Sequence, residues 1–220
     1  MTPEPAIRHH PSEPTLLAHA TGRLGLAGRL VIEAHLAVCP ECRRSVRLME
    51  AVGGLLLDAL PPSPLASGAL ERAMARLGET PPETRLQATP SVSQHTGSIT
   101  LPPPLQGLPV GRLRWLGAGV LHTVLLRARG RSTLHLLQVK PGVSLPRHAH
   151  RGAELTYVIA GAFEDELGHF GPGDLAEVEA DVKHRPVAVG LVDCICLLAT
   201  SGRLRFTSAL YRLIQPFISF

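Results

Sequence analysis

The sequence predicts a two-part fold, a small all-α helical bundle followed by an all-β barrel. Three observations carry that division. Apolar residues recur at helical spacing up to about residue 77, a Pro-, Ser- and Thr-rich stretch without a sustained period follows, and short apolar runs separated by turn residues occupy the rest. The expected boundaries are 1–77 for the helical domain, 78–104 for the linker and 105–220 for the β-domain.

Four helices are expected in the first part. Ser12 is placed to cap a helix through "EPTLLAHATG", which stops at Gly22. Leu26, Leu30, Ala34 and Val38 recur four residues apart and form the stripe of a second helix. Pro40 suits the first position of a third, with Val46, Met49 and Leu56 on one face. In "PLASGALERAMARLG", Leu70, Met74 and Leu77 face one way and Gly78 can end the helix; that face either closes the bundle or meets a partner as well. The stretch "GETPPETRLQATPSVSQHTGSITLPPP" then reads as a linker. Beyond it, "LHLLQVK", "ELTYVIAG", "DLAEVE" and "DCICLLAT" are strand-length runs at fairly even spacing, the pattern of a β-sandwich or barrel.

Composition narrows the function. Hydrophobic residues make up 45% of the 220 and charged residues 18%, which supplies a core and excludes a disordered chain. No apolar run approaches the ~20 residues of a membrane span, and "MTPEPAIRHHPSEP" lacks the apolar region of a secretory signal. A soluble, cytoplasmic protein with no membrane partner is expected. The formal charge of +4 invites a nucleic-acid reading, but residues 1–77 carry 8 Arg against 7 acidic residues and the remainder 14 Arg or Lys against 11. Neither part shows a basic block with interleaved aromatics, so direct nucleic-acid binding is not expected. The four cysteines fall in two close pairs, which points to reduced thiols and not to a disulfide framework.

The first pair belongs to "HLAVCPEC". His35 and Cys39 are four apart and project to one side of a helix, while Cys39 and Cys42 are three apart at the next helix start, a common zinc spacing. A closed structural zinc site wants a fourth ligand, and "IRHHPS" offers His9 or His10. Two His and two Cys complete a tetrahedral shell with no open position. Such a site would tie the N-terminus onto a bundle too small to be very stable alone.

This His-x-x-x-Cys-x-x-Cys pattern in a short helical domain with one upstream His resembles the zinc-binding anti-sigma factors of bacteria. The resemblance selects His10, with His35, Cys39 and Cys42, as the Zn²⁺ ligands. It implies a domain that wedges between the two DNA-binding regions of an extracytoplasmic-function sigma factor. The segment 65–77 would then contact the partner.

A second cluster lies in "GVSLPRHAHRGAELTYVIAG". His148 and His150 alternate on a strand and share one face, and Glu154 on the following strand can reach the same point. The string G-x5-H-x-H-x3-E-x6-G, from Gly142 to Gly161, resembles the first motif of the cupins, a family of jelly-roll barrels. The second cupin motif, G-x5-P-x-G-x2-H-x3-N, is represented by "GDLAEVEADVKHRPVA". Gly173 and His184 keep their separation, but Glu179, Asp181 and Ala188 stand where the motif has Pro, Gly and Asn. The resemblance implies His148, His150, Glu154 and His184 as ligands of Zn²⁺ or another divalent transition metal. The departures argue against the usual small-molecule chemistry of cupin enzymes. In "DCICLLAT", Cys194 and Cys196 share a strand face, either as small buried apolar groups or as a redox pair.

Both halves in this order, with "IRHH", "HRGAELT", "DCICL" and "QPF", resemble the ChrR-type anti-sigma factors. The resemblance implies a 1:1 complex with a group IV sigma factor, broken when the cupin-like domain responds to singlet oxygen or organic peroxide and signals through the linker. The alternative is a metal-dependent cupin oxygenase or isomerase with a helical zinc module for docking.

Overall fold

The computed structural model describes residues 7–77, 99–117, 119–128, 132–150, 152–200 and 204–206. Linker residues 78–98, the closing "QPF" and the side chain of His150 lie outside the described residues.

Four helices form the first part: α1 (Glu13–Ala20), α2 (Leu26–Val38), α3 (Pro40–Asp58) and α4 (Ala69–Arg76). Ser12 caps α1 as expected, its Oγ accepting from the Thr15 amide. Cys39 closes α2 and opens α3 in one residue; its extended backbone turns the chain, and its sulfur accepts from the Cys42 amide at 3.4 Å. The cap of α3 is therefore also a candidate metal ligand.

Three expected apolar faces need correction. On α2 the buried residues are Ala27, Val31, Ile32, Ala34 and His35, while Leu26 and Val38 are 39% and 46% exposed. The stripe is displaced because α2 packs on β-strands as well as on α1 and α3. On α3, Val46 is buried, but every residue from Glu50 to Asp58 is exposed, Leu56 included. Helix α4 buries nothing among the described residues, so Leu70, Met74 and Leu77 do not close a bundle.

After a short 3-10 turn at Pro103–Leu105, the regular elements among the described residues of the second part are strands: β1 (Arg114–Gly117), β2 (Val120–Arg127), β3 (Thr133–Val139), β4 (His148–His150), β5 (Glu154–Ala160), β6 (Ala162–Asp165), β7 (Gly168–Phe170), β8 (Leu175–Val178), β9 (Val187–Val189), β10 (Cys194–Thr200) and β11 (Leu204–Phe206). The four apolar runs singled out in the sequence become β3, β5, β8 and β10. Strands pair antiparallel in three sheets, ordered β1-β2-β3-β10-β5-β8, β7-β6-β9 and β11-β4.

The six-stranded sheet is apolar on both faces because both are covered. Leu134, Leu136, Leu155, Tyr157 and Leu197 join Val31, Ile32 and Leu105 in a core shared with the helices. Their strand neighbours Leu137, Val139, Val158, Cys196 and Leu198 point the other way and pack with Phe163, Phe170 and Ala188. Leu101, within the expected linker, is buried in the shared core. No helix among the described residues is long and apolar enough to cross a membrane.

Candidate metal centres

The first cluster assembles where α2 turns into α3. His10 Nδ1 lies 3.4 Å from the sulfurs of both Cys39 and Cys42, and His35 Nε2 lies 3.3 Å from Cys42 Sγ. All four donor atoms fall within 4.8 Å of one another. A tetrahedral shell with bonds of about 2.0 Å to nitrogen and 2.3 Å to sulfur has N···S edges of about 3.6 Å, so the spacing fits a metal ion with little movement. His9, the other upstream candidate, packs instead against Phe170, with ring centroids 4.4 Å apart and planes tilted by 41°.

The chemistry of the pocket points the same way. Burial, aided by neighbouring Cys39, pushes the Cys42 thiol up to about 12. Burial likewise holds His35 down to about 4 against the pull of the Gly173 carbonyl. The Cys42 thiol and the His35 imidazole, both buried, thus favour their neutral forms, and a bound dication would reverse that preference for the thiol. The His35 Nδ1–H donates to the Gly173 carbonyl at 2.9 Å, which fixes the tautomer with Nε2 free to ligate. His10 Nε2 lies 3.6 Å from a Glu41 carboxylate oxygen.

The second cluster joins His148 on β4, Glu154 on β5 and His184, whose backbone bridges to His148. The two Nε2 atoms are 3.1 Å apart, and His184 Nε2 is 3.8 Å from Glu154 Oε1. Both Nδ1 atoms face away, His148 donating to the Pro146 carbonyl at 2.8 Å and His184 to Asp165 at 3.0 Å. Burial lowers the His184 pKa, but the Asp165 hydrogen bond and the Glu154 charge outweigh it and leave it raised. His150 lies on β4 two residues from His148; its side chain is outside the described residues.

The altered second motif keeps His184 in place through its backbone. Asp181, where the motif has Gly, has φ +64, the one non-Gly residue with positive φ among the described residues. Aspartate tolerates the left-handed region better than most side chains, so the turn survives the substitution.

Beside this cluster is a cavity of about 220 Å³, walled mainly by apolar side chains such as Val120, Leu137, Phe163 and Leu198. Cys194 and Cys196 also line it, both buried, with sulfurs 3.7 Å apart. The hydrogen bond shared with Cys194, then burial, raises the Cys196 pKa, so this thiol is held protonated.

Several groups at the two centres carry no signal in the sequence. Asp165 and Asp174 reach the clusters only through long-range pairing. A buried pair, His122 Nε2 and His135 Nδ1 at 2.7 Å, lies on adjacent strands, and burial lowers the two residues to about 4 and about 3. Their i, i+2 company of Leu and Val marked them only as strand residues.

Comparison with known proteins agrees with this arrangement. Residues 110–202 match the family described as the ChrR Cupin-like domain. The chain is 41% identical to the Anti-sigma-E factor ChrR of Cereibacter sphaeroides over 217 residues, covering 96% of this chain and 98% of that protein. Its structure resembles the crystal structure of Rhodobacter sphaeroides SigE in complex with the anti-sigma ChrR, with TM-score 0.70 and 37% identity over 89% of this chain and 99% of the matched one. A relative this similar, matched over nearly the whole of both chains, shows the family: the chain belongs to the ChrR family.

Proposed function

We propose that this protein is a cytoplasmic anti-sigma factor that sequesters an extracytoplasmic-function sigma factor in a 1:1 complex and releases it under oxidative stress, from singlet oxygen or organic peroxide. One observation carries the reading: the surface of α3 and α4. Ten large apolar side chains between Leu48 and Leu77 are each at least half exposed, among them Leu55 at 70% and Leu70 at 68%. A contiguous stretch of this kind marks a protein-interaction surface, and the family relationship names the partner.

In this reading Zn²⁺ held by His10, His35, Cys39 and Cys42 supplies a cross-link between the N-terminal segment and the α2–α3 turn. The buried thiols and imidazoles orient the helices, and α3 and α4 present the apolar surface. The domain division is 1–77, 78–104 and 105–220, with the three sheets forming the walls of a jelly-roll barrel. His148, His150, Glu154 and His184 hold Zn²⁺ or another divalent transition metal in the sensing half. Cys194 and Cys196 are the candidate redox pair: a peroxide taking two electrons and two protons from them would leave a disulfide, an alcohol and water. The test is co-expression with sigma factors from the same genome. A copurifying 1:1 complex containing zinc is expected; no complex with any candidate would overturn the reading.

The cavity beside the second cluster favours one other reading, a metal-dependent cupin oxygenase or isomerase. Turnover of a small substrate by the iron-loaded protein would establish it.

A further inference from the structure

The first metal centre is not built by the helices alone. His10 and His35 reach it from segments fastened to the edge of the six-stranded sheet. The Gly173 carbonyl, just before β8, accepts from His35 Nδ1 at 2.9 Å. Asp174, 4% exposed, accepts through Oδ1 from the amides of Arg8 at 2.7 Å and His9 at 3.0 Å, and through Oδ2 from Gly171 at 2.9 Å. Leu175 donates its amide to the His9 carbonyl at 3.1 Å. Two residues on, Glu177 accepts from the Ser12 amide, the Ser12 hydroxyl and the Thr15 hydroxyl at 2.8, 3.1 and 2.6 Å. His10 is thus clamped on both sides by carboxylates of one strand segment. A side chain at Gly173 would bring a Cβ within 2.9 Å of Ile7, and φ there is +90, so this close approach needs glycine.

That segment also touches the second cluster. Strand β8 pairs with β5 in the register Glu154↔Val178, Leu155↔Glu177 and Tyr157↔Leu175. Glu154 is a member of the second cluster, and the Tyr157 ring lies edge-on to His35 at 6.4 Å. One strand pair therefore separates the two centres.

We propose that Asp174, Glu177 and the Gly173 carbonyl are positioning groups for the first metal centre, so that the β-domain sets how firmly the helical domain holds its metal. The condition of the second centre then reaches the sigma-binding helices across β5 and β8, by direct contact in addition to any tether. The inference rests on the anti-sigma reading for its consequence, but its geometry and its test do not involve a sigma factor.

The test uses the full chain loaded with Co²⁺, because thiolate-to-cobalt absorption reports the centre with cysteine ligands and not the His/Glu centre. Chelator competition then measures affinity at the first centre. Asp174→Asn, which acts on His10 through the backbone of Arg8 and His9, is expected to weaken it about tenfold, the lower edge of the range for losing a ligand's own hydrogen-bonding partner. Glu177→Gln, in a half-exposed clamp, should weaken it in the same direction by less. Glu179→Gln, exposed on the same segment, should leave it unchanged. Retention of metal at the second centre shows that the β-domain is folded; should Asp174→Asn lose it, Glu177→Gln decides. Glu154→Gln should weaken the first centre too, and by a smaller factor once Asp174→Asn is present. Wild-type affinity in the clamp variants, or strict additivity of Glu154→Gln with Asp174→Asn, would overturn the proposal. Coupling without binding of any sigma factor would overturn the anti-sigma reading and leave the clamp standing.

Discussion

Leu55→Ala separates an interaction surface from a core more sharply than any other single change. Leu55 lies on α3 in the stretch that leaves the protein body. The substitution removes three carbons beyond Cβ, worth about 2.4 kcal/mol if fully buried at about 0.8 kcal/mol each. Because the side chain is 70% exposed in the free protein, the part still available for burial against a partner is about 1.7 kcal/mol, roughly a fifteenfold rise in Kd. The free chain should hardly notice: exposed substitutions usually stay within about 0.5 kcal/mol, and alanine is the better helix former. Val46→Ala is the mirror case, because Val46 is 6% exposed and its loss should cost the free chain about 2 kcal/mol. The assays are a thermal melt of the isolated protein and a titration against the cognate sigma factor. If Leu55→Ala lowers the melting temperature as much as Val46→Ala and leaves Kd alone, the exposed face is not the docking surface.

Other expectations follow from the two centres. Cys39→Ala removes a metal ligand and the sulfur cap of α3 together, so zinc content and sigma binding should both be lost; full repression in a reporter strain would refute the structural role. Metal uptake must expel the proton that burial keeps on Cys42, so affinity at the first centre should fall at least about tenfold per unit drop in pH below neutrality; a flat profile in chelator competition would exclude thiolate ligation. His148→Ala should blunt induction by oxidants, read as reporter output before and after exposure. Asp165→Asn should loosen His184 and lower metal occupancy of the second centre, measured by metal analysis, with the first centre retained.

What the sequence showed was set by the range of the interaction. Ser12, Pro40 and the His-x-x-x-Cys-x-x-Cys spacing act within one or two helical turns, so local rules placed α1, α3 and three members of the first cluster. The choice of His10 over His9 needed the resemblance, and the structure shows the physical reason. His9 is occupied by Phe170, and its amide and carbonyl are committed to Asp174 and Leu175. The α2 stripe was misplaced because helical periodicity identifies an apolar face but not what covers it, and here a sheet from the other half covers part of it. Apolar spacing in α4 was equally blind: the pattern for burial in a core is the same as that for burial in a partner. Asp165 and Asp174 are ordinary turn residues by composition, and only pairing across long stretches of chain brings them to the metal ligands.

The alternation of a β-strand gives the two centres a common support. On β5, Glu154 and Thr156 face the cavity and second cluster, while Leu155 and Tyr157 face α2 and the first. A shift of β5 is felt on both faces because one backbone carries both sets of side chains, and the core on the α2 side is close-packed against it. A change at Glu154 that moved β5 would carry β8 with it, because their register is fixed at four consecutive pairs, and β8 ends against Asp174. The amides of Arg8 and His9 would then lose alignment with a buried carboxylate, a costly mismatch for a group with three donors and little access to water. His10 follows those residues directly in the chain. With α3 and α4 as the proposed docking surface, their loosening needs no large domain motion, only a displacement of one strand pair sufficient to break hydrogen bonds between 2.7 and 3.1 Å long.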